Sequence, residues 1–120
     1  MNKEISYTTH INENKGNRVE FWIINFDYAD GGEYIAKLFC EEYGMQMGDK
    51  LEGIYFSIIR IYSNTEIYEV LWDEHIGNSV YSIKEDEASI NELERRLNYI
   101  LEKLNKKRCR LCIRSKEISI

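Results

Sequence analysis

The chain has no proline, and its 120 residues include only three cysteines and two histidines. Three cysteines are too few, and odd in number, for the disulfide framework of a secreted scaffold, so free thiols in a reducing compartment are expected. Cys40, His10 and His75 are scattered without ligand spacing around Cys109-Arg110-Leu111-Cys112. A four-ligand structural zinc is therefore not expected, and no metal or cofactor is assigned. No apolar run approaches the ~20 residues of a membrane span, and Met1-Asn2-Lys3-Glu4-Ile5 has no apolar stretch behind its lysine. A cytoplasmic protein that does not engage membrane is the expectation. Neither GxGxxG nor GxxxxGK[ST] occurs, which removes the common nucleotide-binding signatures. The missing proline, with abundant Ile, Asn, Lys, Glu and Tyr, suits an AT-rich bacterial genome.

What the chain does have is 43% hydrophobic residues, including 9 Tyr, 4 Phe and 2 Trp, enough for one folded domain without staples. Its charge is unevenly spread. Residues 1–102 carry 20 acidic and 9 basic side chains, whereas residues 103–120 carry 7 basic ones and only Glu117. An acidic body repels nucleic acid and attracts basic proteins, so a nucleic-acid partner is not expected. The Lys/Arg cluster of the tail also lacks the aromatic residues that stack on bases.

β-Branched and aromatic content predicts strands at about 4–12 and 18–28, joined by the turn-forming Glu13-Asn14-Lys15-Gly16-Asn17. In the second strand Val19, Phe21 and Ile23 share one face and Trp22, Ile24, Phe26 and Tyr28 the other, which predicts cover on both sides. Asp30 and Glu33 have capping-box spacing before a helix over 31–43, with Gly44 as its left-handed terminator. A loop with Gly48, Asp49 and Gly53 leads to three strands at about 54–62, 67–74 and 79–84, a meander turning at 63–66 and 75–78. A last helix is capped by Ser89 with Glu92, or a turn earlier by Asp86. Its apolar stripe Ile90, Leu93, Leu97, Ile100, Leu104 packs across the sheet. The prediction is an α+β domain over 1–104, about five antiparallel strands and two helices in the order ββαβββα. The basic tail, 105–120, is left open between more helix, an edge strand and a mobile end.

No catalytic residue is assigned. His75 beside Asp73 and Glu74 is the one arrangement that would suit a small enzyme, and it would need a concave pocket. Asp30-Gly31-Gly32 before a helix suits capping better than phosphate, because Asp27 and Glu33 would repel an anion. Carboxylates near large aromatic side chains are the commoner ingredients of a protein interface. On that ground Asp27, Tyr28, Asp30, Trp72, Asp73 and Glu74 are the expected partner-binding residues.

Asp27-Tyr28-Ala29-Asp30-Gly31-Gly32 and Trp72-Asp73-Glu74-His75-Ile76-Gly77-Asn78, set in a small, acidic, aromatic-rich α+β chain, give it the character of the immunity proteins of bacterial toxin systems. That resemblance implies a cytoplasmic antitoxin that neutralises a cognate basic toxin domain, typically a nuclease, by covering its active site or a neighbouring exosite. The basic tail departs from the pattern. A homodimer through the Ile90–Leu104 stripe or through a sheet edge is the remaining expectation of a different class.

Overall fold

The N-terminal hairpin pairs β1 (Ser6–Asn12) with β2 (Arg18–Ile24) in an unbroken antiparallel register from Ser6 opposite Ile24 to Asn12 opposite Arg18. Gly16 and Asn17 close its turn with φ near +67° and +62°, a conformation that glycine and asparagine adopt at least cost. This is a computed structural model. It describes the backbone of residues 4–118 and the side chains of residues 4–107.

After β2 the chain crosses the sheet as α1 (Gly31–Tyr43) and returns as a four-stranded meander. Its strands are β3 (Gln46–Glu52), β4 (Phe56–Tyr62), β5 (Ile67–Asp73) and β6 (Gly77–Ser82), and α2 (Glu87–Ile118) follows them. The sheet order β1-β2-β6-β5-β4-β3 is antiparallel throughout, so the chain is an α+β protein with six strands. The expected strand count of five is corrected by β3, which lies in the segment read as a loop. Met47 and Leu51 remain exposed there, and a bulge between Met47 and Lys50 breaks the alternation. Backbone pairing with β4, not side-chain burial, makes this segment a strand.

Both helices pack on one face of the sheet. From the sheet come Phe21, Ile23, Ile59, Ile61, Tyr68, Val70 and Val80. Ile35, Leu38 and Phe39 come from α1, and Leu93, Leu97, Ile100, Leu101 and Leu104 from α2. The apolar stripe of α2 is thus spent within the molecule, which removes it as a dimer seam. Gly44 ends α1 at φ near +62°, as read from the sequence.

Three local expectations change. β2 stops at Ile24 because Asn25 turns to positive φ, so Phe26 and Tyr28 belong to a loop. Among the described residues no second layer covers the far face of β2, and Ile24 is exposed on it. Asp30 precedes α1 with αR dihedrals and makes no side-chain cap bond, so there is no capping box. At α2 it is Asp86 that caps, accepting from the Ser89 amide at 3.1 Å, while Glu92 turns to Arg95 and Arg96. The helix runs on past Leu104 to Ile118, and Asn105 bonds to Ile5. The side chains of Cys109 and Cys112 lie outside the described residues.

Candidate functional site

The β2–α1 loop, the β3–β4 turn and the β5–β6 turn meet at one end of the sheet, because β2, β3 and β5 all finish there. The Trp72 indole N–H donates to the Asp27 carbonyl at 3.2 Å, fixing the first loop to β5. The Glu74 amide donates to the Tyr55 carbonyl at 2.9 Å, fixing the third turn to the second. Beneath them the wholly buried Asn78 donates from Nδ2 to the carbonyls of Phe26 and Tyr28, at 2.8 and 3.0 Å. The structure therefore brings all six of the residues expected to bind a partner to this one end.

They do not play the same part. Tyr28 is 63% exposed and Asp27, Asp30 and Glu74 are exposed. None of these three carboxylates has an ion-pair partner among the described residues. Asp73 holds the turn, its Oδ1 accepting from the His75 amide at 2.8 Å. Trp72 is half-buried with its N–H already committed. The Asp27 carboxylate lies against Gly77, where φ is near +90° and a β-carbon would come within 2.6 Å of Oδ1. Gly77 is needed there on both counts.

The sequence reading missed the apolar half of this end. Leu51, Ile54 and Tyr55 are 61%, 87% and 60% exposed, and Phe56 and, in the β5–β6 turn, Ile76 are exposed as well. Ile54 and Tyr55 resemble the first residues of a strand by composition. The pairing of Phe56 with Asp73 ends the ladder before them, and the Gly53 amide turns back to the Phe56 carbonyl. On the helix side of the same end, Phe26, Tyr28, Gly31, Tyr34 and Leu104 line a mainly apolar cleft of about 240 Å³, with Asp30 and Lys107 at its rim.

Gly31 and Gly32 serve packing. A β-carbon on Gly31 would lie 2.8 Å from both Asn78 Nδ2 and the Phe26 ring, and one on Gly32 would lie 3.0 Å from Asn78 Oδ1. The two glycines let the start of α1 settle onto Asn78.

The open face of the sheet carries a second constellation, a row across the strands. His10 lies opposite Glu20, Glu20 opposite Tyr81, Tyr81 opposite Glu69, and Glu69 opposite Arg60. Buried Glu20 accepts from Arg18, Asn12 and the Trp22 indole at 2.6–3.0 Å. Burial raises its pKa, but the bonds from Trp22, Asn12 and Arg18, with the Arg18 charge, outweigh that and hold it below the usual carboxylate range. Burial and the bond to Glu69 push the Tyr81 hydroxyl well above an ordinary tyrosine, so it stays a neutral donor, 2.7 Å from Glu69 Oε1. Arg60 closes the row on Glu69 Oε2 at 2.8 Å. Every acid here is already matched by donors, an arrangement that stiffens a sheet.

His75 is exposed in the β5–β6 turn and lines neither the 240 Å³ cleft nor a second one beside β1. Among the described residues no group of three or more His, Cys, Asp or Glu is placed to hold a metal ion, and no helix is long and apolar enough to cross a membrane. Compared with family models, with curated proteins and with solved structures, the chain finds no significant match.

Proposed function

We propose that this chain is an immunity-type inhibitor that binds a basic toxin domain through the loop end of its sheet. One observation carries the reading: the carboxylates of Asp27, Asp30 and Glu74, without an ion-pair partner among the described residues, stand among exposed Tyr28, Ile54 and Tyr55 on loops tied to a rigid frame. Aromatic and apolar anchors supply the affinity of an interface, while fixed charges of one sign steer and select a partner of the other. A nuclease or other phosphate-binding domain presents that opposite potential. Trp72 and Asp73 act in this reading as braces for the loops, and the contact falls to Tyr28, Asp27, Asp30, Glu74, Ile54 and Tyr55. The protein works by occupying its target, with no chemical step of its own.

The test is a pull-down with the tagged protein at low salt, followed by elution with rising salt. A single basic protein is expected. Its affinity should fall ~30-fold or more for Ile54→Asp, the loss typical of a ~2 kcal/mol anchor. Asp30→Lys with Glu74→Lys should slow association and flatten its salt dependence. Unchanged binding in both variants would remove this surface as the contact.

A further inference from the structure

The two edges of the sheet differ. β3 is defended as edge strands usually are, by a bulge between Met47 and Lys50 and by Asp49, Lys50 and Glu52. β1, Ser-Tyr-Thr-Thr-His-Ile-Asn, has no acidic residue, lysine, arginine, proline or bulge, and it pairs with β2 along its whole length. An undefended seven-residue edge invites pairing with another strand.

The direction of its free groups follows from its neighbours. The Asn105 side chain donates to the Ile5 carbonyl at 2.9 Å and accepts from the Ile5 amide at 2.8 Å, standing beside the edge as a paired strand would. The Glu4 carbonyl is instead reached by Asn25, which follows β2. Because successive residues of a strand alternate, the N–H and C=O of Tyr7, Thr9 and Ile11 point away from β2, to the same side as those of Ile5.

We infer that β1 pairs with β1 of a second copy, antiparallel about a two-fold axis through Thr9, joining two six-stranded sheets into one. The sequence is self-complementary in that register. Thr9 meets Thr9, and Tyr7 meets Ile11 on the helix face. Thr8 meets His10 and Ser6 meets Asn12 on the open face, and no like charges meet along the strands. Each outward residue exchanges both its N–H and its C=O with the partner strand. Ile11, 49% exposed in the single chain, gains the Tyr7 ring as its cross-strand neighbour. The cleft of about 640 Å³ between the start of β1 and α2, with Ile5, Tyr7 and Leu101 in its wall, leaves room for that side chain. The pairing uses the side edge of the sheet, so it stands or falls independently of the toxin-binding reading.

Sedimentation velocity of the full chain, from low micromolar to near-millimolar concentration, tests it. The wild type should reach the mass of two chains. Thr9→Pro removes an N–H that β2 does not use and should leave a folded monomer, checked by circular dichroism and thermal melting. Thr9→Lys sets two ammonium groups side by side on the axis and should do the same should proline unfold the strand. A wild type that is monomeric at every concentration overturns the inference, even if it captures a strand from some other protein. So does an unchanged dimer in both variants.

Discussion

The Arg18 guanidinium lies over the Tyr81 ring, 3.6 Å from its centroid, while the same group donates from Nε and Nη2 to Glu20. One side chain thus covers an aromatic face on β6 and neutralises a buried acid on β2. A lysine has the charge but neither the plane nor the fork to do both. Arg18→Lys should therefore destabilise the protein by about 1–2 kcal/mol, read by urea denaturation, although net charge is conserved. A change within error would mean that the row is ornamental to stability.

Glu20 should make stability depend on pH in a defined direction. Its folded-state pKa is below the ordinary value of 4.5, so its contribution is complete above that value and is lost as pH falls through the lower folded one. Glu92, held down to about 2 first by its bonds from Arg95 and then by Arg96 against its own desolvation, acts in the same sense. Glu20→Gln should be less stable at neutral pH and should show a shallower loss on acidification. Parallel wild-type and variant curves between pH 6 and 3 would contradict the assignment.

Gly31→Ala should invert the usual helix preference. In an exposed helix the change gains roughly 1 kcal/mol. Here the new methyl group meets Asn78 and the Phe26 ring at 2.8 Å, so a net loss of about 1–3 kcal/mol is expected from displaced packing. The toxin binding proposed above should weaken with it, because Asn78 holds the Phe26–Tyr28 loop. Equilibrium unfolding and the affinity of the same variant check both statements.

Tyr68→Phe should cost nothing. The Tyr68 hydroxyl is buried without a hydrogen-bond partner among the described residues, and burial drives its pKa well above the normal tyrosine value. Its ring, against Phe39, is what the core uses. Removing the hydroxyl should leave stability unchanged or raise it by up to about 1 kcal/mol. A clear loss would reveal a partner for the hydroxyl. In alkaline titration followed at the phenolate absorbance, Tyr68 and Tyr81 should ionise only well above the ordinary tyrosine range.

The elements whose side chains are sorted by burial were readable in the sequence. The α2 stripe, the shared face of Tyr68, Val70 and Trp72 in β5, and the turn at Gly16-Asn17 each follow from a local pattern, whereas β2, apolar on both faces, suggested cover on both sides and has Ile24 exposed on one. β3 was not readable, because an edge strand with exposed Met47 and Leu51 owes its form to a neighbour 10 or so residues away in sequence and leaves no alternation. The carboxylates of the candidate surface stood out as charges. Ile54 and Tyr55 did not, since only the register of β4 on β5 reveals that they lie beyond the ladder. Gly31 and Gly32 were read as cap chemistry, and their closeness to Asn78 is a contact between residues far apart in the chain.

The last strand to be made, β6, sits in the middle of the sheet, between β2 and β5. During synthesis the β1–β2 hairpin and the β3–β5 ladder can each form as they emerge, yet no strand pairing joins them until residues 77–82 are free. The nascent chain therefore carries two partial sheets with unpaired inner edges, and closure inserts one strand that mends both at once. Committing to the native state is a late, long-range event here, and the chain is most vulnerable to wrong strand partners just before it.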